Sequence, residues 1–341
     1  MANIKDIAEK CGLSVSTVSK ALNQYSDVSK ETRRRVLETA EQCGYFPNSI
    51  ARALKTNRTY NIGMLFVDDA QSGLKHDYFA AVLDSFKVEA EKHFYDITFI
   101  NHNINIGNRP MTYLEHCRYR NFDGVCIACI DFLQPEVFEL INSDLPVVTI
   151  DHIFNNHTSI NSANVQGMRE LVQYIFSMGH RKIAYVHGEK SAVSEQRLTS
   201  FCRTMMDLGI ETPPEYLACA EFHDTNSTRQ RVNELLRLPN RPTCIIMPDD
   251  YAALGGIDAI EAAGLRVPED ISIAGYDGIA LSQVIKPRLT TLKQDTEMLG
   301  KEAARRLIQQ IENPLTTITE NITVTGKLIE GQSVGRINPE I

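Results

Sequence analysis

Ser14, Ser16, Thr17, Lys20 and Asn23 lie close together near the start of the chain, short hydrogen-bonding side chains with one ammonium among them. On one helix face they would match the donors and acceptors along the floor of a DNA major groove. The flanking residues build that helix. Ile4, Ile7, Ala8 and Cys11 recur at i, i+3, i+4 and i+7, the apolar stripe of a short first helix. Gly12 then supplies a left-handed stop. Ser14 is placed to cap a second helix, with Val18 and Leu22 turned back on the first and Ser16, Thr17, Lys20 and Asn23 facing out. Ala8, Gly12 and Val18 stand at helix-turn-helix spacing. Ser29 caps a third helix over 30–43, with Val36, Leu37 and Ala40 as its inner stripe. Arg33, Arg34 and Arg35 at its start either hold phosphates or form a solvated face.

Charge separates this head from the rest of the chain. Residues 1–60 hold ten Lys/Arg against six Asp/Glu, whereas all 341 residues together carry a formal charge of −8. A basic head on an acidic body fits local contact with nucleic acid rather than coating of it. Lys5, Asp6, Glu9 and Lys10 interrupt any secretory apolar region, and no apolar run is long enough to span a membrane. The expectation is a cytoplasmic protein whose eight scattered cysteines are reduced, buried small hydrophobes.

Between head and body, 49–55 is too short to be a stable helix alone. It reads as a linker or as a helix formed on DNA, where Leu54 could wedge between base steps. From Asn61 strands and helices alternate. Strands are expected at 62–67, 95–101, 124–130 and 145–151, then at 181–188, 216–222, 243–248 and 271–276. Helices are expected at 78–93, 111–119, 135–142, 164–178, 193–208, 226–238 and 251–263. A last helix at 295–311 and strands near 318–325 complete the pattern. Continuous apolar strand runs suit parallel sheets buried on both faces, here two doubly wound lobes with a crevice outside the carboxyl ends of the strands.

Other chemistry is weak. Cys126 and Cys129 have metal-pair spacing, but a strand would put them on opposite faces and no second pair matches. His152 and His157 lie in a polar loop without a further spaced ligand, so no metal is expected. No Gly-rich phosphate loop follows the first strand, Gly255-Gly256 reads as close helix packing, and no nucleophile–base set stands out. No cofactor and no enzymatic activity are expected.

Several strings together resemble the LacI (lactose/purine-repressor) family of bacterial transcription factors from Ile4 to about Ser333. They are Ile4-Lys5-Asp6-Ile7-Ala8, Ser16-Thr17-Val18-Ser19, and Gly44-Tyr45-Phe46-Pro47-Asn48 followed by Ala51-Arg52-Ala53-Leu54. Further along stand Met178-Gly179-His180-Arg181-Lys182-Ile183, Gly275-Tyr276-Asp277 and Pro287-Arg288-Leu289-Thr290-Thr291-Leu292. The resemblance implies an all-α helix-turn-helix headpiece (1–46), a hinge (47–60) and a periplasmic-binding-protein-like α/β core (61–333). Lobe one would be about 61–160 plus 294–321, and lobe two about 161–293 plus 322–333. It implies a homodimer on a pseudo-palindromic operator in double-stranded DNA. Only Val334–Ile341 would follow the core, which fits a dimer without a tetramer-forming tail.

By position, Val15, Ser16 and Lys20 match base readers, with Val15 against a thymine methyl. Ser14, Thr17, Tyr45 and Asn48 match backbone-positioning places, and Leu54 matches an intercalating leucine. Asn23, Ala51 and Lys55 complete the expected DNA-facing set. The pocket positions fall on Tyr78, Phe79, Asp151, Arg197, Phe222, Asp249, Asp277 and Gln294, acceptors, a guanidinium and rings suited to a carbohydrate effector. Asp249 is read as ligand-facing and Asp250 as the cap of the next helix. Three departures bear on the effector. Ser162-Ala163 replaces the usual Asp-Asn, the loop 68–77 is long and charged, and the absence of Trp leaves stacking to Phe, Tyr or His152. The expected function is a transcriptional repressor switched by that effector. A phosphoprotein co-regulator and a solute-binding protein are the alternatives.

Overall fold

The computed structural model describes residues 2–22, 25–45, 53, 58–67, 74, 77–101, 105–106 and 109–337. These form two compact units, one up to Thr59 and one from Tyr60 onward.

In the first unit, helices Ile4–Cys11, Val15–Leu22 and Lys30–Gln42 enclose Ile7, Ala8, Cys11, Val18, Ala21, Val36 and Ala40. Asn3 and Asp6 form a reciprocal capping box at the start, and Gly12 closes the first helix at φ 59°. Ser14 Oγ accepts from Thr17 N at 3.0 Å, capping the second helix, and Ser29 does the same for Thr32. Leu37 departs from expectation. It is exposed on the third helix, because the position before it, Val36, already fills the small core.

The second unit holds two six-stranded sheets. Strands β1 (Asn61–Phe66), β2 (Asp96–Phe99), β5 (Gly124–Ala128), β6 (Val147–Ile150), β7 (Thr158–Ser162) and β13 (Asn321–Val324) make the first, in the order β13-β7-β6-β5-β1-β2. A small hairpin, β3 (Asn105–Ile106) and β4 (Arg109–Pro110), stands apart. Strands β8 (Ile183–His187), β9 (Leu217–Cys219), β10 (Cys244–Ile246), β11 (Ser272–Asp277), β12 (Thr290–Lys293) and β14 (Lys327–Ile329) make the second, in the order β14-β12-β11-β10-β8-β9. All pairings within the sheets are parallel except β12 with β14.

Alternation along β5 sends Cys126 and Ala128 to one face and Val125 and Ile127 to the other, each into its own core. The second sheet is likewise buried on both faces. Burial on both faces is what produces uninterrupted apolar strands.

The chain crosses between lobes after Ser162, after Lys293 and after Val324. The expected boundaries at 160 and 321 therefore move: β13 extends the first sheet through Val324 by pairing with β7, and β7 itself runs to Ser162. Close approach fixes two junctions. A Cβ on Gly300 would stand 2.1 Å from Val82 O, so the helices Asp77–Lys92 and Thr296–Glu312 meet backbone to backbone there. A Cβ on Gly326 would stand 2.6 Å from Lys293 O, so two of the three crossings run against each other.

Candidate functional site

In the first unit, Ser14, Val15 and Ser16 are exposed and Thr17 and Lys20 are half-buried, around the second helix. Val15 is 41% exposed, more than an apolar residue that merely packs. The hydroxyls of Ser14 and Thr17 lie 2.8 Å apart and bond one another. Lys20 Nζ is 2.5 Å from Asp27, an exposed ion pair. Tyr45 is half-buried against the three-helix core.

Two of the third-helix arginines have structural partners: Arg33 Nη2 donates to Tyr25 O, and Arg35 Nη2 to Cys11 O at the end of the first helix. Arg34 pairs with Glu38 along its own helix. Asn23, Asn48, Ala51, Leu54 and Lys55 lie outside the described residues, as does the 68–77 loop apart from Leu74 and Asp77.

In the second unit, polar side chains converge on the carboxyl ends of the two sheets. On the first lobe Tyr78 Oη donates to Asp151 Oδ2 at 2.8 Å, and Ser162 N donates to Asp151 Oδ1 at 2.8 Å. The bond from Ser162 comes from its backbone; its hydroxyl lies 3.4 Å from Tyr78 Oη. Asp151 holds φ 58°, just past the end of β6. Phe79 turns its ring to Phe66 and packs on the lobe's core. His152 stacks on Phe132 at 4.2 Å with Phe154 beside it.

On the second lobe Arg197 is 4% exposed. Its Nε donates to Asn164 Oδ1 at 2.8 Å, its Nη1 to Pro248 O at 3.3 Å, and its guanidinium lies over the Tyr276 ring at 3.6 Å. Arg197 Nη2 reaches 3.9 Å from Asp277 Oδ1, which accepts from Gln294 Nε2 at 2.6 Å. Phe222 packs over Gly188, where a Cβ would strike its ring.

The helix cap falls to Asp249, not to Asp250 as expected. Asp249 caps the helix Asp250–Ala262, accepting from Ala252 N at 2.7 Å and from His223 N at 3.0 Å. Asp250 sits inside, accepting from Ile279 N and Thr291 Oγ1. The helix begins one residue earlier than the apolar pattern indicates, and the capping position moves with it.

The electrostatics follow burial. Burial pushes the Tyr78 hydroxyl well above its ordinary range, and the charges of Asp151 on its own lobe and Asp277 on the other push the same way. Burial raises the carboxyl of Asp277 against the pull of Arg197, with Asp249 adding to the rise. Burial holds Asp250 well above the usual carboxylate range, opposed by the Thr291 hydrogen bond.

A carboxyl raised on folding contributes stability that is present below its unfolded value and lost as pH rises through the folded one. Asn in place of Asp250 can keep an acceptor for Ile279 N and carries no charge. Asp250→Asn is therefore expected to raise the urea midpoint near neutral pH, with the gain over wild type shrinking on acidification. A gain independent of pH would refute the linkage.

Asn164 and Tyr276, which orient and cover Arg197, were not among the sequence candidates; Tyr276 stood inside the Gly275-Tyr276-Asp277 string as its only signal. Among the described residues no helix is long and apolar enough to cross a membrane.

With this geometry in place, the chain can be compared with known proteins. A family model described as bacterial regulatory proteins, lacI family, matches residues 3–48, and one described as a periplasmic binding protein-like domain matches residues 172–334. The "HTH-type transcriptional repressor PurR" of Pasteurella multocida (strain Pm70) is 31% identical over 315 residues, 91% of this chain and 92% of that one. This chain belongs to the LacI family of bacterial regulatory proteins. It is a DNA-binding transcriptional regulator with a helix-turn-helix head and a periplasmic-binding-like core.

A second LacI-type relative, the "Probable HTH-type transcriptional repressor ExuR" of Bacillus subtilis (strain 168), is 30% identical over 342 residues, 99% of each chain. Among solved structures, the Lac repressor dimer bound to operator and the anti-inducer ONPF superposes with a TM-score of 0.82 at 24% identity, covering 98% of this chain and 99% of that one. The transcriptional regulator CelR–cellobiose complex gives 0.69 at 23% identity, covering 98% and 100%. These likenesses show the fold.

Proposed function

We propose that this chain is a cytoplasmic repressor that binds a pseudo-palindromic operator as a homodimer, with an affinity set by a carbohydrate effector held between the lobes of its core. The observation that carries the reading is the buried group Arg197–Asp277–Gln294 beside Tyr78–Asp151 of the other lobe. Buried acceptors with one guanidinium above an aromatic ring suit adjacent hydroxyls on a ring. Relatives named as transcriptional repressors support the direction of control.

On the DNA side, Ser14, Ser16, Thr17 and Lys20 would meet base edges and phosphates, with Val15 on a thymine methyl. Asn23, Tyr45, Asn48, Ala51, Leu54 and Lys55 would complete that contact, Leu54 by wedging into the minor groove. Effector binding would change the angle between lobes and so bias whether the 49–55 segment is ordered, a coupling that requires different effector affinity in the two states.

Deleting residues 1–57 is expected to abolish operator binding while effector binding, read as a rise in melting midpoint, persists. Operator binding by the truncated protein would defeat the proposal.

A further inference from the structure

We infer that the molecule held in this cleft carries no negative charge and presents hydrogen-bond donors to Gln294, Asp151 and Asp277: a neutral or aminated polyhydroxylated ring, not a sugar acid or a phosphorylated sugar. The inference rests on the reading that the cleft is the effector site.

The first observation is an orphan. Gln294 is 4% exposed, its amide nitrogen is committed to Asp277, and its Oε1 has no partner. Turning the amide round would set its oxygen against Asp277 Oδ1, acceptor against acceptor wherever that carboxyl is ionised. A buried carbonyl oxygen without a donor is costly, and native sites supply the donor from a ligand or water. A molecule that displaces water from here is favoured if it brings an O–H or N–H of its own.

The second observation is charge. Asp277 lies beside the one guanidinium, the charges of Asp249 and, in the opposite sense, His223 act on it, that of Asp151 reaches Tyr276 from the other lobe, and Asp250 lies buried nearby. Arg197 has little left to offer an anion. Its Nε and Nη1 are bonded to Asn164 and Pro248, its face is on Tyr276, and its Nη2 faces Asp277. The side-by-side fork that clamps a carboxylate or phosphate is thus not presented. Charges repel more strongly in a site withdrawn from water, so a further anion would be repelled by Asp277 and by Asp249, whose charge already acts on it. Burial and Asp249 already hold the Asp277 carboxyl above its ordinary range, which a donor from the ligand would relieve and an anion would aggravate.

The test uses the full-length protein and matched probes differing only in charge: glucose, glucosamine and glucuronate, and the corresponding galactose set, with hypoxanthine as an uncharged non-sugar. Melting midpoint and titration calorimetry are read for each at equal concentration. A neutral or aminated hexose is expected to bind, with its uronate at least about tenfold weaker. Asp249→Asn keeps an acceptor for Ala252 N but gives up the one for His223 N, and by removing one charge should narrow that gap. Gln294→Leu should weaken the neutral ring by about tenfold, as expected when a site built for a donor loses its acceptor.

A uronate that binds as tightly as its neutral counterpart overturns this inference and leaves the effector-cleft reading standing. Binding of hypoxanthine alone overturns the carbohydrate reading and the polyhydroxylated ring with it, leaving only the exclusion of negative charge. If no neutral or aminated probe binds, both fall, and an unchanged uronate gap in Asp249→Asn would remove the charge argument.

Discussion

Arg197→Ala is expected to destabilise the core by roughly 3–5 kcal/mol, the range measured when one partner of a buried ion pair is removed. The loss has several sources in one place. Asp277 would keep a buried carboxyl without its guanidinium, Asn164 Oδ1 and Pro248 O would lose their donor, and the Tyr276 face would be left uncovered. Urea unfolding of the variant beside wild type measures it. The deficit should shrink on acidification, since protonating Asp277 removes the uncompensated charge. Arg197→Lys should recover only part of the loss, because an ammonium can neither span the two carbonyl acceptors nor stack on the ring. A deficit below about 1 kcal/mol for the alanine variant would mean that the network is ornamental to the fold.

The second large effect is expected from a single methyl group. Gly300→Ala places a Cβ 2.1 Å from Val82 O and 2.7 Å from Phe86 N, and backbone atoms cannot rotate out of the way as Ser85 Oγ could. Pushing the two helices apart should cost about 1–3 kcal/mol, the range for overpacked cores. Tyr78 belongs to the displaced helix, Asp77–Lys92, and holds Asp151 through its hydroxyl. The variant should therefore bind effector more weakly as well as melt earlier. A normal melting midpoint would show that the helices can slide at no cost.

The head and the alternating body were legible because their signals are local: a glycine stop, a serine cap and an apolar stripe lie within a turn or two of one another. Strands β7, β12 and β14 were not. In β7 (Thr158-Ser159-Ile160-Asn161-Ser162) the buried side chains are mostly polar, satisfied by partners that the local pattern does not reveal. Ser159 Oγ reaches Asn321, and Thr158 Oγ1 accepts from Gln310. The same distance in sequence hid Asn164, whose task is to hold Arg197, on the next helix. The shift of the cap from Asp250 to Asp249 turned on a single residue of helix start, below what apolar periodicity resolves.

The three crossings also decide how the molecule can be taken apart. Neither lobe is one continuous stretch of chain. Cutting out residues 164–293 would leave β12 without β14, turning a paired strand into a naked edge of unpaired N–H and C=O groups. Cutting out 61–162 would strip both β13 and the helix Thr296–Glu312, whose Leu299, Ala303 and Leu307 fill the first core. The lobes therefore have no separate genetic cassette. Recombination could shuffle the head against the core in one cut, but exchanging one lobe for another needs matched breaks at all three crossings.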